Sequence, residues 1–100
     1  MKVYISGPMT GIADFNRPAF NAAAEKITTD GHVALNPASL PDGLEQSEYM
    51  LICMAMLQVA DSIIMLPEWE KSKGAVAELA LAQKLELHVE VANDHNPPRA

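Results

Sequence analysis

A single cysteine, Cys53, is all the thiol this chain has, which excludes an intrachain disulfide and any zinc site built on a cysteine cluster. His32, His88 and His95 show no metal-ligand spacing, so neither a metal nor another cofactor is expected. Basic residues are scarce too: 7 Lys and Arg stand against 13 Asp and Glu, for a net charge of −6. A protein that binds nucleic acid polymers needs a broad basic surface to neutralise phosphates, and none can be read here. A small anionic ligand is still admissible, because a few local donors suffice for it. No apolar run is long enough to span a membrane. Met1-Lys2 leads directly into strand-like sequence, so no signal peptide is expected, and the expected location is a reducing, cytoplasmic compartment. Internal repeats and domain linkers are missing as well. What remains is 100 residues, 49% of them hydrophobic, which suits one domain with a real core.

That domain is expected over residues 1–92, with 93–100 (NDHNPPRA from Asn93) as a flexible tail. Val3 to Ser6 reads as a first strand, stopped by Gly7-Pro8. A helix should start near Asn16, its expected cap, with Pro18 in the first turn and Phe20, Ala23, Ala24 and Ile27 on its apolar face. Val33 to Leu35 is a second strand. Gln46 to Val59 is a second helix with Met50, Met54 and Leu57 on its apolar face and Cys53 alongside. Ser62 to Leu66 is a third strand and Val89 to Val91 a fourth. Strands alternating with helices imply a parallel sheet with right-handed crossovers. The expected fold is therefore α/β, a flavodoxin-like or Rossmann-like three-layer sandwich on four strands, with a fifth the only open count.

The connections divide into two sets. Those entering strands are short: TTDGH, QVAD and KLELH. Those leaving strands are long and rich in Gly, Pro, Ser, Asn and charge: SGPMTGIADFN, NPASLPDG and PEWEKSKG. Open parallel sheets bind ligands beyond the C-terminal strand ends, so this asymmetry favours a small-molecule site over a purely structural role.

The chain is organised around residues 61–85, a strand, a polar loop and an almost wholly apolar helix. The run AVAELALA, 75–82, contains one charge, Glu78. A helix apolar nearly all round is normally buried. Gly74, Ala75 and Ala82 lie one turn away and leave space beside the carboxylate, so Glu78 is a candidate nucleophile or base. A solvated Glu on the one exposed line of the helix is the equal alternative. Ser72, at the expected start of that helix, is either a plain N-cap or part of an anion site, with Lys71 and Lys73 alongside. Ser6-Gly7-Pro8-Met9-Thr10-Gly11 offers glycines that bring backbone N–H groups near an anion; an ordinary strand-to-helix turn reads the same way. Tyr4 either packs in the core or reaches the Glu78 pocket. Trp69 is either a lid or stacking platform on the site loop or a hydrophobic plug. Asp61 falls on the opposite sheet edge and is discounted. Cys53 reads as a small buried hydrophobe.

Two stretches, VYISGPMTG and LPEWEKSKGAVAELALA, resemble the nucleoside 2-deoxyribosyltransferase-like proteins, closest to a small branch common in phage and prophage genomes and related to the deoxynucleoside 5′-monophosphate N-glycosidases. The resemblance runs to about Val91, and the start motif and the S-x-G-x-x-x-E spacing of Ser72, Gly74 and Glu78 carry it together. It implies cleavage of an N-glycosidic bond: Glu78 attacks C1′ of the sugar, Tyr4 positions it, and water or a second base resolves the glycosyl intermediate. Ser72 matches a serine used for the 5′-phosphate, which implies a nucleotide ligand, and Ser6, Gly7, Pro8, Met9, Gly11, Trp69 and Gly74 become expected substrate contacts. One position departs. Cys53 stands where the family has an aspartate that assists protonation of the leaving base. A homodimer or higher homo-oligomer is expected, because the chain is short and Met50, Leu51, Met54 and Met56 put apolar residues on more than one face of the second helix, the expected interface; the resemblance agrees, since its members often share their sites across a dimer interface. A non-catalytic nucleotide-binding module that has lost turnover is the alternative, and a scaffold for other proteins a third.

Overall fold

The computed structural model describes residues 1–92 of the protein; the tail expected at 93–100, including His95, lies outside them. Four strands, β1 (Lys2–Ser6), β2 (Val33–Leu35), β3 (Ser62–Met65) and β4 (His88–Val91), form one all-parallel sheet in the order β2-β1-β3-β4. Three helices connect them: α1 (Arg17–Thr29), α2 (Gln46–Val59) and α3 (Lys73–Lys84). This is the expected α/β three-layer architecture with four strands.

Strand alternation sorts the side chains into two cores. Val3 and Ile5 point to one face and pack with Phe20 and Ile27 of α1 and with Leu66. Tyr4, Ile63 and Met65 point to the other and pack with Cys53 and Leu57 of α2 and Ala75 and Ala82 of α3. One helix therefore covers one face and two helices the other, the division that right-handed crossovers require for this strand order. The order also fixes a switch point: the chain leaves β1 towards one face and leaves β3 towards the other, so a crevice opens between their C-terminal ends. Ser6 pairs with Met65 at that end of the ladder.

Helix boundaries fall within a residue or two of expectation, with one correction. Asn16 precedes α1 but does not cap it through its side chain; it sits in the left-handed region with φ of 61°, and its Nδ2 donates to the Pro8 carbonyl at 2.9 Å. Asp14 and Phe15 before it are left-handed as well, a conformation uncommon for residues with a side chain. The expected cap of α3 holds: Ser72 Oγ accepts from the Ala75 N–H at 3.1 Å. Asp61 lies at the far edge of the sheet, as expected, where its Oδ2 accepts from the Lys2 N–H at 2.9 Å.

Gly7 closes the end of β1 against β3. A Cβ there would stand 2.8 Å from Leu66 Cβ, and a Cβ cannot swing away as a side-chain tip can. Gly7→Ala is expected to cost about 1–3 kcal/mol of stability through overpacking, read as a lower urea midpoint with an unchanged slope.

Candidate functional site

Glu78 is buried at 7% exposure. It is the sixth residue of α3, more than a turn inside, so the helix dipole contributes little to it. Its placement comes from packing: Ala75 and Ala82, one turn either side on the same face, are nearly fully buried against the sheet, and their small size lets the helix approach β1. Both carboxylate oxygens are then occupied by hydroxyls from alternate residues of that strand. Tyr4 Oη donates to Oε2 at 2.8 Å and Ser6 Oγ donates to Oε1 at 2.6 Å. Tyr4 thus does both things the sequence allowed, since its ring is in the core and its hydroxyl is in the site. Ser6, expected as a substrate contact, is buried and directed at Glu78.

Burial pushes the Glu78 pKa up, and the hydrogen bonds from Ser6 and Tyr4 offset part of that rise. Burial and the adjacent Glu78 charge push the Tyr4 phenol far above its ordinary value, so it stays a hydrogen-bond donor. Cys53 lies beside Tyr4 on the facing side of α2. Burial raises its thiol, the Tyr4 hydrogen bond lowers it, and the Glu78 charge raises it again, for a net rise. Cys53 is therefore a neutral thiol in contact with the site, and both readings of it, buried small residue and site residue, meet in one position.

Two adjoining recesses open above this group. The inner one, about 140 Å³, is lined by Tyr4, Ser6, Gly7, Met9, Ser72, Gly74 and Glu78 among others. The outer one, about 360 Å³, is lined by Phe15, Arg17, Leu40, Asp42 and Leu44. Met9, Thr10, Pro37, Gln46, Tyr49 and Cys53 border both. Seven of the ten residues singled out in the sequence are thereby brought together around the inner recess. Pro8, Gly11 and Trp69 line neither recess. Pro8 is buried and anchors Asn16 through its carbonyl, Gly11 is exposed in the loop, and Trp69 is half-buried and packs against the core, in keeping with the plug.

The chain belongs to the DUF4406 family. The family model, described as a domain of unknown function, matches residues 1–91, the whole sheet and every element of the site. No curated protein matches the chain.

What sequence reasoning missed in this DUF4406 domain is the rim. Arg17 is hydrogen-bonded to Asp42 across the mouth of the outer recess and to Asp14 Oδ1 at 3.2 Å, and lies 5.2 Å from the Phe15 ring centroid. Tyr49 Oη donates to the Pro41 carbonyl at 2.6 Å and fixes the loop on that side. An arginine at a helix start and a tyrosine in a helix carry no periodic signal; only the left-handed 14–16 segment brings Phe15 to the rim. No further acidic side chain reaches the inner recess: Asp42 lines the outer one and, like Asp14, is paired with Arg17, Glu45 and Glu48 lie at the N-terminus of α2, where Glu48 accepts from the Glu45 N–H at 2.7 Å, and Glu70 lies on the turn before α3. Lys71, expected beside Ser72, pairs with Glu68 at 2.9 Å. Among the described residues no cluster of metal ligands exists.

The raised Glu78 pKa has a signed consequence for stability. The folded state binds the Glu78 proton more tightly than the unfolded chain, so this residue lowers stability as pH rises from the ordinary carboxylate range through its folded pKa. Below that range the penalty vanishes. Glu78→Gln is expected to melt above wild type at pH 7 and to lose that advantage by about pH 4, near the ordinary Glu value, with all other titrating groups cancelling in the difference. A difference in melting temperature that does not change across that range would remove the burial penalty.

Proposed function

We propose that this protein cleaves the N-glycosidic bond of a nucleoside 5′-monophosphate, deoxy or ribo, or a related N-riboside, with Glu78 as nucleophile. The observation that carries the proposal is the buried Glu78 carboxylate, held on both oxygens by Tyr4 and Ser6 at the floor of a recess on the C-terminal edge of the sheet. A carboxylate fixed in this way has its remaining lone pairs pre-oriented, which favours attack on a carbon bound above it. Attack on C1′ gives a glycosyl ester that water or a second base then resolves, the retaining route of glycoside chemistry. The N-terminus of α3, with Ser72 and Gly74 on the same recess, suits the 5′-phosphate. Similarity of the two motif stretches to the nucleoside 2-deoxyribosyltransferase-like proteins supports the same chemistry, and with it a place near their phage-associated branch.

A second proposal has its own support. Glycoside cleavage ordinarily uses two acidic groups, and the residue nearest the Tyr4–Glu78 pair on α2 is a thiol. A domain that binds nucleotides without turning them over would look like this. Incubation with a panel of nucleosides and 5′-nucleotides, followed by chromatography for free base, separates the two. Base release that Glu78→Gln abolishes supports the glycosidase; ligand binding without release selects the binding module; release undiminished in Glu78→Gln removes Glu78 as nucleophile.

The proposal includes a homodimer through α2. Between Tyr49 and Ala60 this helix has no charged residue, and the sheet covers only one side of it. Cys53 and Leu57 are buried and Met50, Met54 and Met56 half-buried, while Leu51 is 74% and Val59 55% exposed. An uncharged apolar face is where two copies of a chain with net charge −6 meet with least repulsion. Light scattering at micromolar concentration is expected to give twice the chain mass, and Leu51→Asp to give the monomer; a wild-type monomer at that concentration counts against it.

A further inference from the structure

Among the described residues no cation pairs with Glu78; its two partners are neutral hydroxyls. Buried charges are ordinarily paired, because an unpaired one costs several kcal/mol of desolvation, roughly. The recesses also hold no spare acid. Tyr4 and Ser6 direct their protons at Glu78, Tyr49 directs its own at the Pro41 carbonyl, and Asp42 is taken up by Arg17 at the rim. The remaining protons are on the Thr10 and Ser72 hydroxyls and the Gln46 amide, which are too weakly acidic to protonate a departing base, and on the Cys53 thiol, a weak donor. At the rim, Asp14 and Asp42 surround the single Arg17, so that end of the cavity is net negative.

We propose that the substrates of this site are N-glycosides whose leaving heterocycle already carries a positive charge, such as a pyridinium or N-alkylpurinium 5′-nucleotide. This rests on Glu78 acting as the glycosidic nucleophile. An uncharged base departs as an anion unless a proton reaches it, and no group here is placed to give one. A cationic ring needs none. A Glu78 oxygen bonds to C1′, the C1′–N bond breaks, and its electron pair moves onto the ring nitrogen, which leaves as a neutral molecule. Water then attacks C1′, gives its proton to solvent, and the ester electrons return to the Glu78 carboxylate. Until departure, the positive ring is the counter-charge that Glu78 lacks, and it favours the ionised, nucleophilic form. The net-negative rim attracts the same charge.

The test uses the purified chain with nicotinamide mononucleotide and 7-methylguanosine 5′-monophosphate as cationic substrates, against guanosine and adenosine 5′-monophosphates. Each rate of base release is divided by the rate in buffer alone, which cancels the greater intrinsic lability of the charged bonds. The enhancement on the cationic pair is expected to exceed that on the uncharged pair by about 10²-fold or more, the lower bound of what general acid assistance supplies. Equal or larger enhancement on the uncharged pair overturns the proposal while the Glu78 glycosidase stands. No release from any of the four overturns both. Cys53→Asp adds an acid beside Tyr4 and is expected to raise the uncharged-to-cationic ratio by roughly 10²-fold; an unchanged ratio in a folded variant would show that no acid was missing. Should burial of the carboxyl unfold that variant, the wild-type ratio decides by itself.

Discussion

The candidate site depends on one carboxylate held between two hydroxyls of the same strand. Tyr4 and Ser6 are two residues apart on β1, so strand alternation puts both on the face covered by α2 and α3. Glu78 arrives from the opposite direction, on a helix whose inward side is alanine at positions 75 and 82. Bulkier residues there would hold α3 away from the sheet and break both hydrogen bonds. The apolar composition of α3 is thus a condition of the site as well as of the core. At the same end of the sheet Gly7 lies close against Leu66, between the ends of β1 and β3.

Much of this was legible in the sequence because periodic signals dominate it. The strands have continuous apolar runs, the helices have caps or turn residues at their ends, and the contrast between short entering loops and long leaving loops pointed to the sheet edge on which the two recesses open. Glu78 stood out as a lone charge in an apolar run, and its burial with both oxygens hydrogen-bonded excludes the solvated reading. The rim was not legible. Arg17 meets Asp42 across 25 positions of sequence, a pairing set by how two loops fold over each other, and loop conformation has no period to read. Asn16 failed as a cap for a related reason: its amide had a better partner in the Pro8 carbonyl, a tertiary contact that local propensity does not contain. Trp69 could be read as lid or plug, since an aromatic on a polar loop carries no signal for either; the ring packs against the core.

The site and its surroundings answer to different constraints. An apolar residue at position 78 would relieve the fold of a buried ionisable group, and sequences under no other demand favour that exchange. Keeping the carboxylate, and giving it two donors, opposes stability locally. Such departures from good packing are expected where a group is held for chemistry or binding. All of these elements lie within the DUF4406 match, and the carboxylate and its two donors stand on a helix and a strand, not on a loop.

The thiol at position 53 gains its meaning from this electrostatic setting. A carboxyl there would sit beside Tyr4 and within reach of the Glu78 charge, and two carboxylates in a recess of about 140 Å³ could not both ionise. One would keep a proton, and the pair would titrate as a unit. With Cys53 there is no second carboxylate to couple to, and burial pushes the thiol further towards its neutral form. Glu78 is then the only group on the floor whose charge changes, and its charge is governed by desolvation on one side and the two hydroxyls on the other. A positive ligand shifts that balance towards the carboxylate; a neutral one leaves it where burial set it. The selectivity proposed for the leaving heterocycle and the titration of Glu78 thus meet at one place, a carboxylate whose neighbours on the floor of the recess are all neutral.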